Sequence, residues 1–194
     1  RYAGQNAEWL IPIQTISQDV AQLNTDALSL PGVKLEEQDA RQYPLGVAAG
    51  HIAGYVGEIS ADELTELYAL GYREGESFGR AGLEQLGEKY VSGGRGGRLV
   101  ALNTDGAQVD VIAERATSQS NSIYSTIDGA LQTHLSTLLS GKRGSIVVLD
   151  VNNGNVLGMY SNPGYDSNAF VDRDRNAERA NYLTSPERIM LNRA

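Results

Sequence analysis

One stretch, Gly144-Ser-Ile-Val-Val-Leu-Asp-Val-Asn-Asn-Gly-Asn-Val-Leu-Gly-Met-Tyr-Ser161, constrains this 194-residue chain more than any other. Two apolar runs, Ile146–Val151 and Val156–Tyr160, flank Asn153-Gly154. That dipeptide reaches the positive-φ conformations of a type I′ turn at little cost, so the spacing predicts a β-hairpin. Ile146, Val147, Val148 and Leu149 are consecutive, which makes both faces of the first strand apolar. A strand of that kind belongs in a sheet with layers packed above and below it. Only 33 residues follow Ser161, and they contain no comparable strand. A lone hairpin is marginal in water, so the sheet is expected to be completed by residues outside this sequence.

The chain is long enough to bury a core as one domain or two small ones. It carries 24 acidic against 16 basic side chains, a formal net charge of −8. That balance argues against nucleic acid or an anionic membrane as a main partner. Cysteine is absent, which excludes disulfides and thiolate metal sites. No apolar run has the length of a membrane span, and no signal-peptide pattern opens the chain. The sequence begins at Arg1 without Met, so a processed or partial chain is expected, with any membrane anchor upstream.

Trp9–Thr15 reads as a short extended segment with Pro12 at an edge position. Ser17 can cap a helix carrying Val20, Leu23, Ala27 and Leu28, ended by Pro31-Gly32. Val33–Tyr43 begins with alternating character and suits a partly exposed strand. Ser60-Ala-Asp-Glu63 is a capping box opening a helix with Leu64, Leu67 and Leu70 on one side, stopped at Gly71. A second helix is expected over Ala81–Tyr90, closed by Ser92-Gly-Gly. Arg98–Asn103 and Ala107–Ala113 flank Thr104-Asp-Gly106, a second hairpin signal. Ala116–Ser122 is polar and aperiodic and reads as a linker. A further helix starts at about Asp128, with Leu131, Leu135, Leu138 and Leu139 on one face and Gly141 as its stop. The tail from Pro163 is polar, with weak helical character over Ala177–Ala180 and Arg188–Ala194.

Several patterns invite chemistry and fall short of it. His51 and His134 are the only histidines, and both are read as structural, His134 on the apolar stripe of its helix. Asp172-Arg-Asp-Arg-Asn-Ala-Glu178 has alternate acidic groups, but Ala177 and Leu183 stand where a calcium loop needs Gly and Glu. A solvated, salt-bridged loop is the better reading, and no metal or other cofactor is expected. Ser92-Gly-Gly-Arg-Gly-Gly-Arg98 lacks the Lys-Ser/Thr of a phosphate loop and reads as a turn. Glu84 and Glu88 share a helix face, where carboxylates are expected to be exposed rather than an acid–base pair in a cleft. None of the three lysines, Lys34, Lys89 and Lys142, stands three residues after a serine. Arginine occupies that place after Ser77, Ser92, Ser140 and Ser185, and a guanidinium cannot serve as a base.

Against this background, two further segments stand out. Arg41-Gln-Tyr-Pro-Leu-Gly46 fits the pattern Arg-x-Tyr-Pro-x-Gly and runs into the small residues of Ala48–Gly57. Gly79-Arg-Ala-Gly-Leu-Glu84 fits Gly-x-x-Gly-x-Glu. In this order they resemble two of the three pedestal motifs of class B penicillin-binding proteins, the bacterial cell-wall D,D-transpeptidases. The third, nearest the membrane in that family, would fall before Arg1. Ser125–Gln132 resembles the approach into the first helix of the family's transpeptidase domain, and Gly144–Tyr160 its first two strands. Asn162–Phe170 resembles the loop that follows, and Leu191–Ala194 the approach to the nucleophile. The resemblance covers nearly the whole chain from about Trp9.

The resemblance implies an α+β fold. Residues 1–118 would be a non-catalytic pedestal of dimerisation type, and residues 119–194 the N-terminal part of a serine transpeptidase domain. No catalytic residue carries over, because the Ser-x-x-Lys, Ser-x-Asn and Lys-Thr-Gly elements are not in this sequence. The implied site residues are structural: Arg41, Tyr43, Pro44, Gly46, Gly79, Gly82 and Glu84. Tyr43-Pro44 favours an extended residue before a turn, and the glycines permit a tight turn into a helix. Glu84 then meets the helix dipole or pairs with Arg41 or Arg80, and Arg41 and Glu84 are read as the structural ion pair that holds the pedestal together. The implied partners of the parent protein are peptidoglycan stem peptides, β-lactams and other cell-wall synthesis proteins such as a membrane glycan polymerase. Self-association through exposed hairpin edges is also expected, with no role for nucleic acid. The implied location is the extracytoplasmic face of a bacterial membrane. The alternative from another class is an extracytoplasmic protein-interaction domain with no catalytic parent.

Overall fold

A computed structural model describes residue 16 and residues 18–28, 30–35 and 40–194. Trp9–Thr15 and Ser17 therefore lie outside the described residues. The chain divides into two compact units, Arg1–Ala40 and Arg41–Ala194.

In the first unit, the helix expected after Ser17 is two pieces, α1 (Gln18–Leu23) and α2 (Thr25–Leu28). Asn24 interrupts them: its side-chain amide donates to the Val20 carbonyl at 2.8 Å, competing with the helical ladder. Leu23 is exposed, contrary to its expected place on an apolar stripe. A turn at Pro31-Gly32 follows, closed by Val33 N–H on the Leu30 carbonyl. The strand expected over Val33–Tyr43 is not found: residues 33–35 and 40–43 are irregular, and 36–39 lie outside the described residues.

The second unit is a mixture of short helices and three separate two-stranded antiparallel sheets, an α+β arrangement as expected. After a tight turn at residues 43–46 come α3 (Gly50–Ala53) and β1 (Val56–Glu58). Next are α4 (Ala61–Leu67), β2 (Ser77–Gly79) and α5 (Gly82–Val91), with β2 antiparallel to β1. The capping box forms as read: Ser60 accepts from the Glu63 amide, and Glu63 accepts from the Ser60 amide at 2.9 Å.

β3 (Gly97–Leu102) and β4 (Gln108–Arg115) make the second hairpin, with Gly106 at φ +79° completing a three-residue turn. Leu99, Leu102, Val109 and Ile112 all remain exposed on this ribbon.

α6 (Gly129–Leu138) is capped by the Asp128 carboxylate, which accepts from the Leu131 amide at 2.7 Å. It rests on the leading hairpin, β5 (Gly144–Leu149) with β6 (Val156–Asn162). Gly158 is what lets it approach: a methyl there would lie 2.8 Å from Leu135 Cδ1.

The hairpin differs from expectation in two ways. Asn153 does not take a positive φ, so the turn is not type I′. Instead Gly154 N–H reaches back to the Asp150 carbonyl, while the Asp150 carboxylate accepts from Asn152 N–H and the Asn153 side-chain amide. A longer loop with local side-chain bonds thus replaces the two-residue turn. The second difference is in burial. Ile146 and Val148 are half-covered, whereas Val147 and Leu149 are 45% and 54% exposed. Only one face of β5 is layered by the described residues.

The two edges of this hairpin are not alike. On the outer side of β6, Leu157 O accepts from Asp128 N–H, and the Gln132 side chain occupies both Met159 N–H and O. No such backbone cover is found along β5 among the described residues.

The tail contains more core than its polarity suggested. Tyr165, Ala169 and Ile189 are buried, and α7 (Asn176–Thr184) is a full helix, whereas Arg188–Ala194 is irregular. Tyr165, 2% exposed, sits at the centre of a ring cluster. His51, Phe170, Tyr55 and Tyr182 surround it at 4.9, 5.8, 6.1 and 6.1 Å. Aromatic rings at these separations contribute edge-to-face attraction beyond their burial.

Candidate functional site

The residues singled out from the sequence converge on one place, the junction of α3, β2 and α5. Tyr43-Pro44-Leu45-Gly46 is a turn closed by Gly46 N–H on the Tyr43 carbonyl at 3.0 Å. Pro44 suits its second position, and Leu45 at φ −84°, ψ −3° has the third-position geometry of a type I turn. The turn brings Arg41 back over the start of α5. There its Nε and Nη2 donate to Glu84 Oε1 and Oε2 at 2.7 and 2.5 Å, a two-pronged pair.

Glu84 is 7% exposed, while the Arg41 side chain remains half exposed. Of the two partners open to Glu84, the structure therefore selects Arg41. Arg80 turns away to Glu63 and the Glu58 carbonyl. Tyr43 is buried in the same pocket, and its hydroxyl has no hydrogen-bond partner among the described residues. Burial, reinforced by the adjoining Glu84 carboxylate, pushes the Tyr43 phenol far above its ordinary value, so it stays protonated.

The glycines act through close backbone approach more than through turning. Gly82, at φ +58°, has no room for a methyl, which would lie 2.5 Å from the Ile52 carbonyl oxygen. Its counterpart Gly54, at φ +77°, is blocked by Ala81 O in the same way. The end of α3 and the start of α5 thus touch backbone to backbone. At Gly79 a methyl would strike Glu84 O at 2.3 Å, and its N–H donates to Glu88 Oε2 at 2.9 Å.

Glu88 accepts from Tyr72 Oη at 2.5 Å as well. Glu84 and Glu88 are therefore not the exposed pair expected of that spacing. Glu84 is buried and Glu88 half-buried, and both are committed to fixed donors, which leaves neither free to move a proton for a substrate.

The histidines separate. His51 Nε2 lies 2.9 Å from the Ile189 carbonyl, and burial lowers its pKa below the ordinary value, as a structural imidazole requires. His134 is exposed and does not belong to the apolar face of α6, because Leu131 and Leu135 fill the contact with β6. At the acidic loop, Arg175 donates to both oxygens of Glu178 and, outside the loop, to Asp166, so one of the loop's carboxylates is already neutralised by a guanidinium. No cluster of three or more metal-ligating side chains occurs among the described residues.

Two side chains that carry the junction were not singled out from the sequence, Gln132 and Asn168. Buried amides have no periodic signature, and only the tertiary structure reveals their partners. Asn168 Oδ1 accepts from Tyr43 N–H at 3.0 Å and its Nδ2 donates to Tyr43 O at 2.9 Å.

Comparison with known proteins agrees with this geometry. Residues 5–125 match the family model described as the penicillin-binding protein dimerisation domain. The peptidoglycan D,D-transpeptidase MrdA of Escherichia coli K12 is 32% identical over 190 residues, 95% of this chain and 30% of that protein. Penicillin-binding protein 3 of Bacillus subtilis is 32% identical over 161 residues, 83% of this chain and 24% of that protein. Among solved structures, a complex between PBP2 and MreC from Helicobacter pylori superposes with a TM-score of 0.71 at 26% identity. It covers 93% of this chain and 34% of that one. Pseudomonas aeruginosa PBP2 in complex with WCK 5153 gives 0.60 at 30% identity, over 82% of this chain and 32% of that one. The chain spans about 30% of the length of the MrdA relative. With the family model matched over most of its length, this chain belongs to the penicillin-binding protein dimerisation-domain family.

Proposed function

We propose that this chain is the pedestal and the leading part of the transpeptidase domain of a cell-wall D,D-transpeptidase. Residues 1–118 are the non-catalytic support, and residues 119–194 begin the catalytic domain. The observation that carries this reading is the meeting of the two pedestal motifs in space, Arg41 of one gripping Glu84 of the other. The division near residue 118 is supported by the family model, which ends at residue 125.

In the whole protein, a serine outside these 194 residues would attack the D-Ala-D-Ala bond of a stem peptide. The terminal D-Ala leaves as the serine ester forms. The acyl group then passes to a neighbouring amine and frees the serine, and a β-lactam intercepts the same serine. The work of this chain is to hold the first strands of that domain in place on the outer face of the bacterial membrane. Partners are other proteins of wall synthesis; the resemblance to a PBP2 solved with MreC supports that class. Self-association, where it occurs, uses the β5 edge, since β6 is already covered at Leu157 and Met159.

Fluorescent penicillin tests the reading. The 194-residue chain should give no covalent band, and the gene product extended past Ala194 should give one that unlabelled penicillin competes away. A labelled band from the chain alone, or a folded longer product without labelling, overturns it.

A further inference from the structure

Gln132 is fully buried, at 0% exposure, in the second turn of α6. Its Nε2 donates to Met159 O at 2.7 Å and to Ala48 O at 2.5 Å, and its Oε1 accepts from Met159 N at 2.9 Å. Both amide hydrogens and the oxygen are thus engaged, and a flipped amide would set its oxygen against two carbonyls, so the orientation is fixed by its partners. Towards β6 the side chain behaves as one residue of a neighbouring strand. Towards the pedestal it holds the carbonyl at the end of the turn that carries Tyr43, Pro44 and Gly46. Asn168 grips Tyr43 at the other end of the same turn. Between the two, Gly50 lies so close to Tyr165 that a methyl would be 2.0 Å from its carbonyl oxygen. Residues 43–51 are therefore wedged between α5 on one side and β6 with its following loop on the other.

We propose that Gln132 is a positioning residue that couples the pedestal to the leading hairpin: one buried amide binds Ala48 and Met159 together, so that loosening either loosens the other. The backbone of α3 is pressed against α5 at Gly54 and Gly82, so the coupling extends from the Arg41–Glu84 junction to strand β6. Asn168 supports it by fixing Tyr43. The inference rests on the reading of residues 43–51 as pedestal and of α6 onward as the transpeptidase side.

The test is hydrogen exchange followed by mass spectrometry on the 194-residue chain. Gln132→Met keeps the length of the side chain and removes all three bonds. Gln132→Glu retains an acceptor for Met159 N–H and serves if the first variant does not fold. Exchange should quicken at least about tenfold in segments 46–54 and 156–162 together, with α4 unchanged. A change confined to 156–162 reduces Gln132 to a local cover of β6 and overturns the proposal, as does a uniform rise along the chain.

A second comparison separates coupling from plain stability. Glu84→Gln should raise exchange at 156–162 when Gln132 is present and add nothing there in the Gln132→Met background. Equal increments in both backgrounds refute the coupling. Penicillin labelling is read independently. A longer product that fails to label, with exchange still coupled, removes the transpeptidase reading alone; labelling without coupled exchange removes the coupling alone.

Discussion

Replacing Glu84 by Gln tests whether the motif pair is a structural fastening. The substitution keeps the shape and one oxygen, removes the charge, and turns an NH2 towards a guanidinium that cannot accept from it. Breaking a fully buried pair costs about 3–5 kcal/mol, whereas exposed pairs contribute roughly 0–1 kcal/mol. Glu84 is 7% exposed but its partner side chain is 51% exposed, so water screens one half of the pair. An intermediate loss of about 2 kcal/mol follows, within the range set by those two limits. For a domain of this size that corresponds to a fall in Tm of roughly 4–8 °C. Thermal unfolding followed by circular dichroism measures it, with Arg41→Gln and the double variant completing the cycle. The double variant should lose less than the sum of the two single losses, since removing either partner already breaks the pair. A Tm within about 1 °C of the parent, or strictly additive losses, refutes the assignment of Arg41 and Glu84 as a fastening pair.

Two further outcomes follow from the geometry. Gly50→Ala should be among the most damaging single changes, about 3 kcal/mol or more, because the new methyl meets backbone that cannot swing aside; denaturant unfolding measures it. Gly141→Ala provides the control, since its site is open and only its φ of +71° opposes the methyl. The start of α4 should loosen in acid. Arg80 and the Ser60 amide hold the Glu63 carboxyl down to about 2. Because that value lies below the unfolded one, the contribution is complete above about pH 4.5 and lost as pH falls towards 2. Proton NMR of the Ser60 amide across that range should follow the titration, and a resonance that does not move refutes the bond.

What was legible in the sequence was whatever local chemistry alone decides. The capping box at Ser60–Glu63, the stop at Gly71, the span of α5 and the two Gly-containing hairpins depend on residues within a few positions of each other. The motif pair was legible too, with Arg41 the expected ion-pair partner of Glu84 and Arg80 the other guanidinium near it in the sequence. In the folded chain Arg80 meets Glu63 across β1 and β2, while the turn at Pro44 returns Arg41 to α5. Glu84 and Glu88 misled as a pair. Helical spacing places two carboxylates on one face but cannot say that Tyr72, Gly79 and Arg41 will close over that face.

The polar tail concealed core for a related reason. Tyr165, Ala169 and Ile189 have no period; the rings of His51 and Tyr55 pack on Tyr165, and the His51 imidazole meets the Ile189 carbonyl. Neighbouring residues set the helix caps, the spans of α5 and α6 and the two longer hairpins, whereas α3, β1 and β2 are not legible in the sequence and the strand expected over Val33–Tyr43 is not found among the described residues. The tertiary structure decided which side chains meet. Gln132 shows the difference most clearly, since its three bonds join residues 48 and 159, and no pattern along the chain relates an amide to backbone groups that far away.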